Sequence, residues 1–176
     1  MEKIFNVLIV DDLELVHKPI EDFLKNFVFI KNGITVTSAY NLSQAKRLLL
    51  GDKFDLVMLD GEAGNGWGYE IISDILKNNN EVIIITSSNY DAFNTKNIEM
   101  GCHESVNKTF LYEWNDEASK YRTQKGQVIT ELFKTKLQKK HNRFSLSVFF
   151  ESCDLLVHHE KKNQMVTQHN LISQNN

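Results

Sequence analysis

Five short strand-like runs, spaced by segments of helical length, constrain this chain more than any other feature. They are residues 4–10, 34–39, 54–59, 82–86 and about 104–107. Between them, apolar residues recur at the helical period. In 13–27, Leu13, Val16, Ile20, Phe23, Leu24 and Phe27 share one side, and Pro19 predicts either a helix start or a kink. A second helix is expected after the cap residue Asn41, burying Leu42, Ala45, Leu48 and Leu49 and stopping at Gly51. A third spans about 66–76 with Ile71, Ile72, Ile75 and Leu76 inward; a fourth covers 90–100 and stops at Gly101; a fifth begins near Leu111. Strands alternating with helices predict an α/β fold, because parallel strands need crossover connections and helices make them compactly. The strands are largely unbroken apolar runs, as in a doubly wound parallel sheet covered on both faces.

The residues at the ends of these runs narrow the chemistry. The first run ends in Asp11-Asp12, the third in Asp60, the fourth in Thr86, and Lys108 comes just after the fifth. Open parallel sheets collect ligands outside the carboxyl ends of their strands. Taken together, these residues resemble the receiver domain of two-component response regulators, over about residues 3–121. The resemblance implies five strands in the order 2-1-3-4-5, which makes strands one and three neighbours. Asp11, Asp12 and Asp60 would then converge. Three close carboxylates repel unless a cation neutralises them, and a hard, oxygen-rich site with few protein ligands suits Mg²⁺.

Residue by residue, the resemblance implies that Asp11 and Asp12 are the acidic metal-binding pair, with Asp12 the more direct ligand. Asp60 matches the phospho-acceptor, and Glu62 the position whose backbone carbonyl completes the metal shell. Thr86 matches the switch hydroxyl, and Lys108 the active-site lysine 22 residues later. Residues 68–72, Gly-Tyr-Glu-Ile-Ile, look like the opening of the family's third helix. An Asp nucleophile that forms an acyl phosphate needs in-line positioning and charge neutralisation more than acid–base help.

Three departures stand beside the matches. Receivers usually carry Lys-Pro with a cis bond, where this chain has Lys108-Thr109. A cis bond before a non-proline costs about 2.5–4 kcal/mol, so either a trans bond with a shifted lysine or a strained cis bond is expected. The switch aromatic three residues before the lysine is Ser105 here, so the usual relay from threonine to ring cannot operate. Finally, four glycines in residues 61–68 replace the family's Met-Pro loop and predict mobility, with Trp67 half-buried at the sheet edge, covering the site or docking a partner.

Charge divides the chain near Gly126. Residues 1–125 carry net −6, and residues 126–176 carry +3. The division suggests a receiver domain, 1–125, and a helical extension, 126–176. Val128, Ile129, Leu132, Phe133 and Leu137 predict one helix over 127–140, and Leu146, Phe149, Phe150, Cys153, Leu156 and Val157 a second over 143–160. A strand signal at 144–148 competes with the second. Two amphipathic helices cannot bury their apolar faces alone, so they are expected to pack on the body or to pair as a homodimer. The basic residues Lys134, Lys136, Lys139, Lys140 and Arg143 lack interleaved aromatics in an acidic chain, so nucleic acid is not an expected partner.

No apolar stretch approaches the roughly 20 residues of a membrane span, and Cys102 and Cys153 have no ligand spacing. A cytoplasmic protein is the expectation. The resemblance implies a response regulator that accepts a phosphoryl group on Asp60 from a histidine kinase or phosphotransfer protein. Apart from its own phosphorylation and dephosphorylation it would not be an enzyme. The alternative is a degenerate receiver serving as a phosphorylation-independent scaffold. A phosphatase using Asp60 is disfavoured, because Glu62 stands where such enzymes place an aspartate acid.

Overall fold

The computed structural model describes residues 4–30, 32–64 and 66–140, the last four by backbone alone. Its centre is a five-stranded parallel sheet in the order β2-β1-β3-β4-β5. The strands are β1 (Ile4–Val10), β2 (Gly33–Ala39), β3 (Leu56–Asp60), β4 (Ile83–Ser88) and β5 (Glu104–Asn107). β4 runs two residues past its expected end, which carries Ser87 into the ladder beside Asp60. On one face, Leu8, Val10, Val57, Leu59 and Ile84 pack with residues from α2 (Leu42–Gly51) and α3 (Tyr69–Asn78). The helix predictions there hold in their main features. Asn41 caps α2, its Oδ1 accepting from the Gln44 N–H at 2.8 Å, and α2 ends at Gly51. α3 buries Ile71, Ile72 and Ile75. α4 (Asp91–Glu99) is followed by Gly101, whose φ of +115° favours glycine.

The other face settles one expectation and departs from two others. Of the two alternatives at Pro19, a helix start is excluded, since α1 (Glu14–Phe23) runs through it. The lost donor would have served the carbonyl of Leu15, on an exposed turn where water can replace it. Next, residues 24–28 form a π-helical turn instead of continuing α1, with the Phe29 N–H donating to the Leu24 carbonyl at 2.8 Å. Third, the fifth helix is split. A single turn, α5 (Thr109–Tyr112), is followed by a long helix, α6 (Asp116–Lys140).

α6 passes through Gly126 without a break, and the compact unit reaches Lys136. Gly126 thus marks a close approach within a continuous helix. A Cβ there would lie 2.4 Å from the Phe27 carbonyl oxygen. One helical turn later, Thr130 donates to the Val28 or Gly126 carbonyl, at 3.3 and 2.8 Å. Phe133 packs edge-on against Phe5 and Phe29 at 5.4 and 5.0 Å. Gly126→Ala should therefore destabilise the fold by about 1–3 kcal/mol, although Ala in an open helix would stabilise it by roughly 0.5–1 kcal/mol. Denaturant midpoints of the two proteins test this, and an unchanged or higher midpoint would contradict the packing. Residues 143–160, Cys153 among them, lie outside the described residues. Among the described residues no helix is long and apolar enough to cross a membrane.

Candidate functional site

The sheet ends on a buried group of charges. Asp11 directly follows β1, and its N–H continues the ladder to the Ala39 carbonyl at 3.0 Å. Its Oδ1 accepts from the Leu13 N–H at 3.1 Å, which turns the chain into α1. Asp60 is the last residue of β3. Lys108 follows β5, and its Nζ reaches Asp60 Oδ1 at 2.9 Å and Asp11 Oδ2 at 2.5 Å. All three are buried, at 0 % for Asp11, 7 % for Asp60 and 6 % for Lys108, while Asp12 is exposed. The Lys108–Thr109 peptide is trans, since no cis bond occurs among the described residues. The lysine reaches both carboxylates without the family's cis geometry.

Two carboxylates against one ammonium leave an excess negative charge where water is scarce. Burial pushes the Asp60 carboxyl up from 3.8 to about 6. Lys108 opposes that shift, Asp11 adds to it, and the Glu62 backbone N–H, donating to the carboxylate, opposes it again. Asp11, Asp12 and Asp60 each place a carboxylate oxygen within 4.8 Å of the others. Asp11 Oδ2 is fully buried and accepts no hydrogen bond, because its close approach to Nζ is not aligned as one. Three carboxylates this close, with one ammonium among them, fit a hard divalent cation with oxygen ligands.

The segment after Asp60 owes its glycines chiefly to close packing. A Cβ on Gly68 would sit 2.1 Å from the Asp60 carbonyl oxygen, and one on Gly61 would sit 2.7 Å from Phe93 Cβ. Gly64, at φ +63°, is the one that needs left-handed backbone. The Gly68 N–H donates to the Gly61 carbonyl at 2.9 Å, and Glu62 pairs with Trp67 across a small hairpin. Trp67 is half-buried and packs on Phe93 at 5.1 Å. The Glu62 side chain is exposed.

The Thr86 hydroxyl bonds to α4. The residue is fully buried, and its hydroxyl accepts from Asn97 Nδ2 at 2.6 Å and lies 3.4 Å from Asn94 Oδ1, both on α4. Ser105 stands beside Thr86 in register and is half-buried. Sequence reasoning missed two neighbours of the charges. Ser87, directly opposite Asp60, is 1 % exposed with an unpartnered hydroxyl. Tyr112 on α5 stands near enough to feel Asp11 and Asp60; burial first, then those charges, push its phenol up to about 12. Strand alternation would have revealed Ser87 had the register of β3 and β4 been known. Cys102 is buried in the core and its thiol is pushed up to about 12, so it is an inert packing residue.

Comparison with known proteins gives the family and supports the fold. The family model described as "Response regulator receiver domain" matches residues 7–113. Among solved structures, a receiver domain protein described as CheY-like, from Methanospirillum hungatei JF-1, superposes with a TM-score of 0.57 at 14 % identity, covering 77 % of this chain and 99 % of its own. The signal receiver domain of a DNA binding response regulator from Colwellia psychrerythraea 34H gives 0.55 at 25 % identity, covering 74 % and 98 %. A two-component response regulator from Clostridium difficile gives 0.52 at 18 %, covering 70 % and 95 %. No curated protein matches the sequence.

Proposed function

Because this chain belongs to the response regulator receiver domain family, we propose that Asp60 is its phospho-acceptor, in two-component signalling. The observation that carries the reading is the buried Asp60 carboxylate, 2.9 Å from Lys108 Nζ and within 4.8 Å of the Asp11 and Asp12 carboxylates. An Asp60 oxygen attacks the phosphorus of a phosphohistidine on a histidine kinase or phosphotransfer protein. As the new O–P bond forms, the N–P bond breaks and the imidazole nitrogen leaves with the electron pair. Lys108 pairs with Asp60 at rest and with a phosphoryl oxygen after transfer, so the ammonium has an anionic partner in both states. Asp11, Asp12, Asp60 and the Glu62 carbonyl would hold Mg²⁺, which when bound supplies neutralisation of the phosphoryl oxygens.

The output would be a change of protein contacts. The C-terminal extension, 126–176, is proposed as the part that carries it, as a homodimer or against another protein. Intact mass spectrometry after incubation with Mg²⁺ and acetyl phosphate or phosphoramidate tests the reading. A single phosphoryl addition is expected, absent in Asp60→Asn. No addition, together with no binding of beryllofluoride, would favour a phosphorylation-independent scaffold, a reading supported by Ser105 in place of the switch ring.

A further inference from the structure

One hydroxyl at the charged end of the sheet has no partner. Ser87 Oγ is buried and makes no hydrogen bond, whereas hydroxyls in such places are normally satisfied. The ladder sets Asp60 opposite Ser87 and Ser87 opposite Val106. Opposed residues on neighbouring parallel strands point to the same face, and so do residues two apart along one strand. Lys108, two after Val106, therefore returns to the face of Ser87 and Asp60, in keeping with its 2.9 Å contact. Asp11, one beyond the pair Val10 and Leu59, stands level with Asp60. Thus the ends of β1, β3, β4 and β5 present Asp11, Asp60, Ser87 and Lys108 on one face.

Thr86 falls one residue earlier, on the opposite face. Its hydroxyl is held by Asn97 and Asn94. α4 turns these two asparagines, not an apolar stripe, toward the sheet. Swinging the Thr86 hydroxyl toward Asp60 would strip Asn97 Nδ2 of its acceptor, although Asn97 Oδ1 is already unpartnered. Ser87 has no such bond to break.

We propose that in this chain Ser87, rather than Thr86, supplies the hydroxyl that donates to a phosphoryl oxygen on Asp60, and that Thr86 anchors α4 to the sheet. The inference rests on the phospho-acceptor reading. A hydrogen bond from a neutral hydroxyl to an anionic oxygen is charge-assisted and short-ranged. Losing it should weaken binding of a phosphoryl group or its mimic without disturbing the resting protein.

Beryllofluoride titration in Mg²⁺, followed by ¹⁹F NMR on the full chain, tests this with Ser87→Ala and Thr86→Ala. Ser87→Ala should weaken binding by about tenfold and leave the melting temperature without beryllofluoride unchanged or raised. Thr86→Ala should lower that melting temperature, because Asn97 loses its partner, and shift beryllofluoride affinity less than about threefold. Equal affinity of Ser87→Ala and wild type would overturn the proposal. So would a loss in Thr86→Ala as large as that in Ser87→Ala. If wild-type protein binds no beryllofluoride, the phospho-acceptor reading itself fails and takes this inference with it.

Discussion

Lys108→Ala is expected to destabilise the metal-free protein by about 3–5 kcal/mol, the range for removing one partner of a buried ion pair. Lys108 is the cation bridging two carboxylates, one wholly buried and one nearly so. Without it, both must either stay charged without a partner or take up a proton. Asp60 already has its carboxyl raised to about 6, and Lys108 is the largest influence holding it down. Removing the lysine would raise it further in the metal-free protein. In Mg²⁺, where the phosphoryl group loses its ammonium partner, phosphorylation by acetyl phosphate should slow at least about 100-fold, the scale on which a single charge-stabilising donor acts. Mg²⁺ should recover part of the lost stability, by supplying positive charge to the same oxygens. Denaturant unfolding with EDTA and with Mg²⁺ measures the loss and its recovery. A variant as stable as wild type in EDTA would mean that the buried carboxylates do not depend on Lys108.

Removing charge from the other partner should act in the opposite direction. Asp60→Asn is expected to stabilise the metal-free protein at pH 8. The folded carboxyl, raised from 3.8 to about 6, holds its proton more tightly than the unfolded one. Its favourable contribution is thus complete below pH 3.8 and is lost as pH rises through about 6. By linkage the loss amounts to about 3 kcal/mol. An amide stays neutral throughout, so it avoids that loss but accepts a weaker bond to Lys108. A net gain of about 1–3 kcal/mol at pH 8 should shrink towards zero near pH 4. The gain should also fall when Mg²⁺ is added, because the cation favours the wild-type carboxylate. Unfolding curves of both proteins at pH 4, 6 and 8 in EDTA decide the matter. Equal stability at pH 8 would show that the ionised Asp60 costs the fold nothing.

Much of this architecture was legible because its signals are local. A buried parallel strand needs an apolar run, and β1 and β5 match their expected bounds. A helix start needs an acceptor for its free N–H groups, and Asn41 provides one at the expected place. A charged residue after an apolar run must leave the sheet at its end, so the run pattern set Asp11, Asp60 and Lys108 at strand ends, and the strand order that the resemblance implied brought them together. Their 2.5 and 2.9 Å contacts arise from side-chain reach once the strands are neighbours.

The remaining features depended on contacts between segments far apart in sequence. Gly126 looked like a junction because charge changes sign there, but its lack of a side chain serves the approach of α6 to Phe27. The glycines after Asp60 suggested mobility, yet two of them mainly make room for the Asp60 carbonyl and for Phe93. Thr86 and Ser87 are adjacent hydroxyl residues, and a strand period of two puts them on opposite faces. Which one faces Asp60 depends on the register between β3 and β4, and register is set by packing rather than by either strand alone. By itself, then, the sequence determined the α/β class, the sheet's apolar strands and the residue types at their charged ends, since burial and capping act within a few residues. Only the tertiary structure decided which hydroxyl shares a face of the sheet with the acid, why Gly126 must be glycine and how a trans peptide still delivers Lys108, because each turns on the placement of segments distant in sequence.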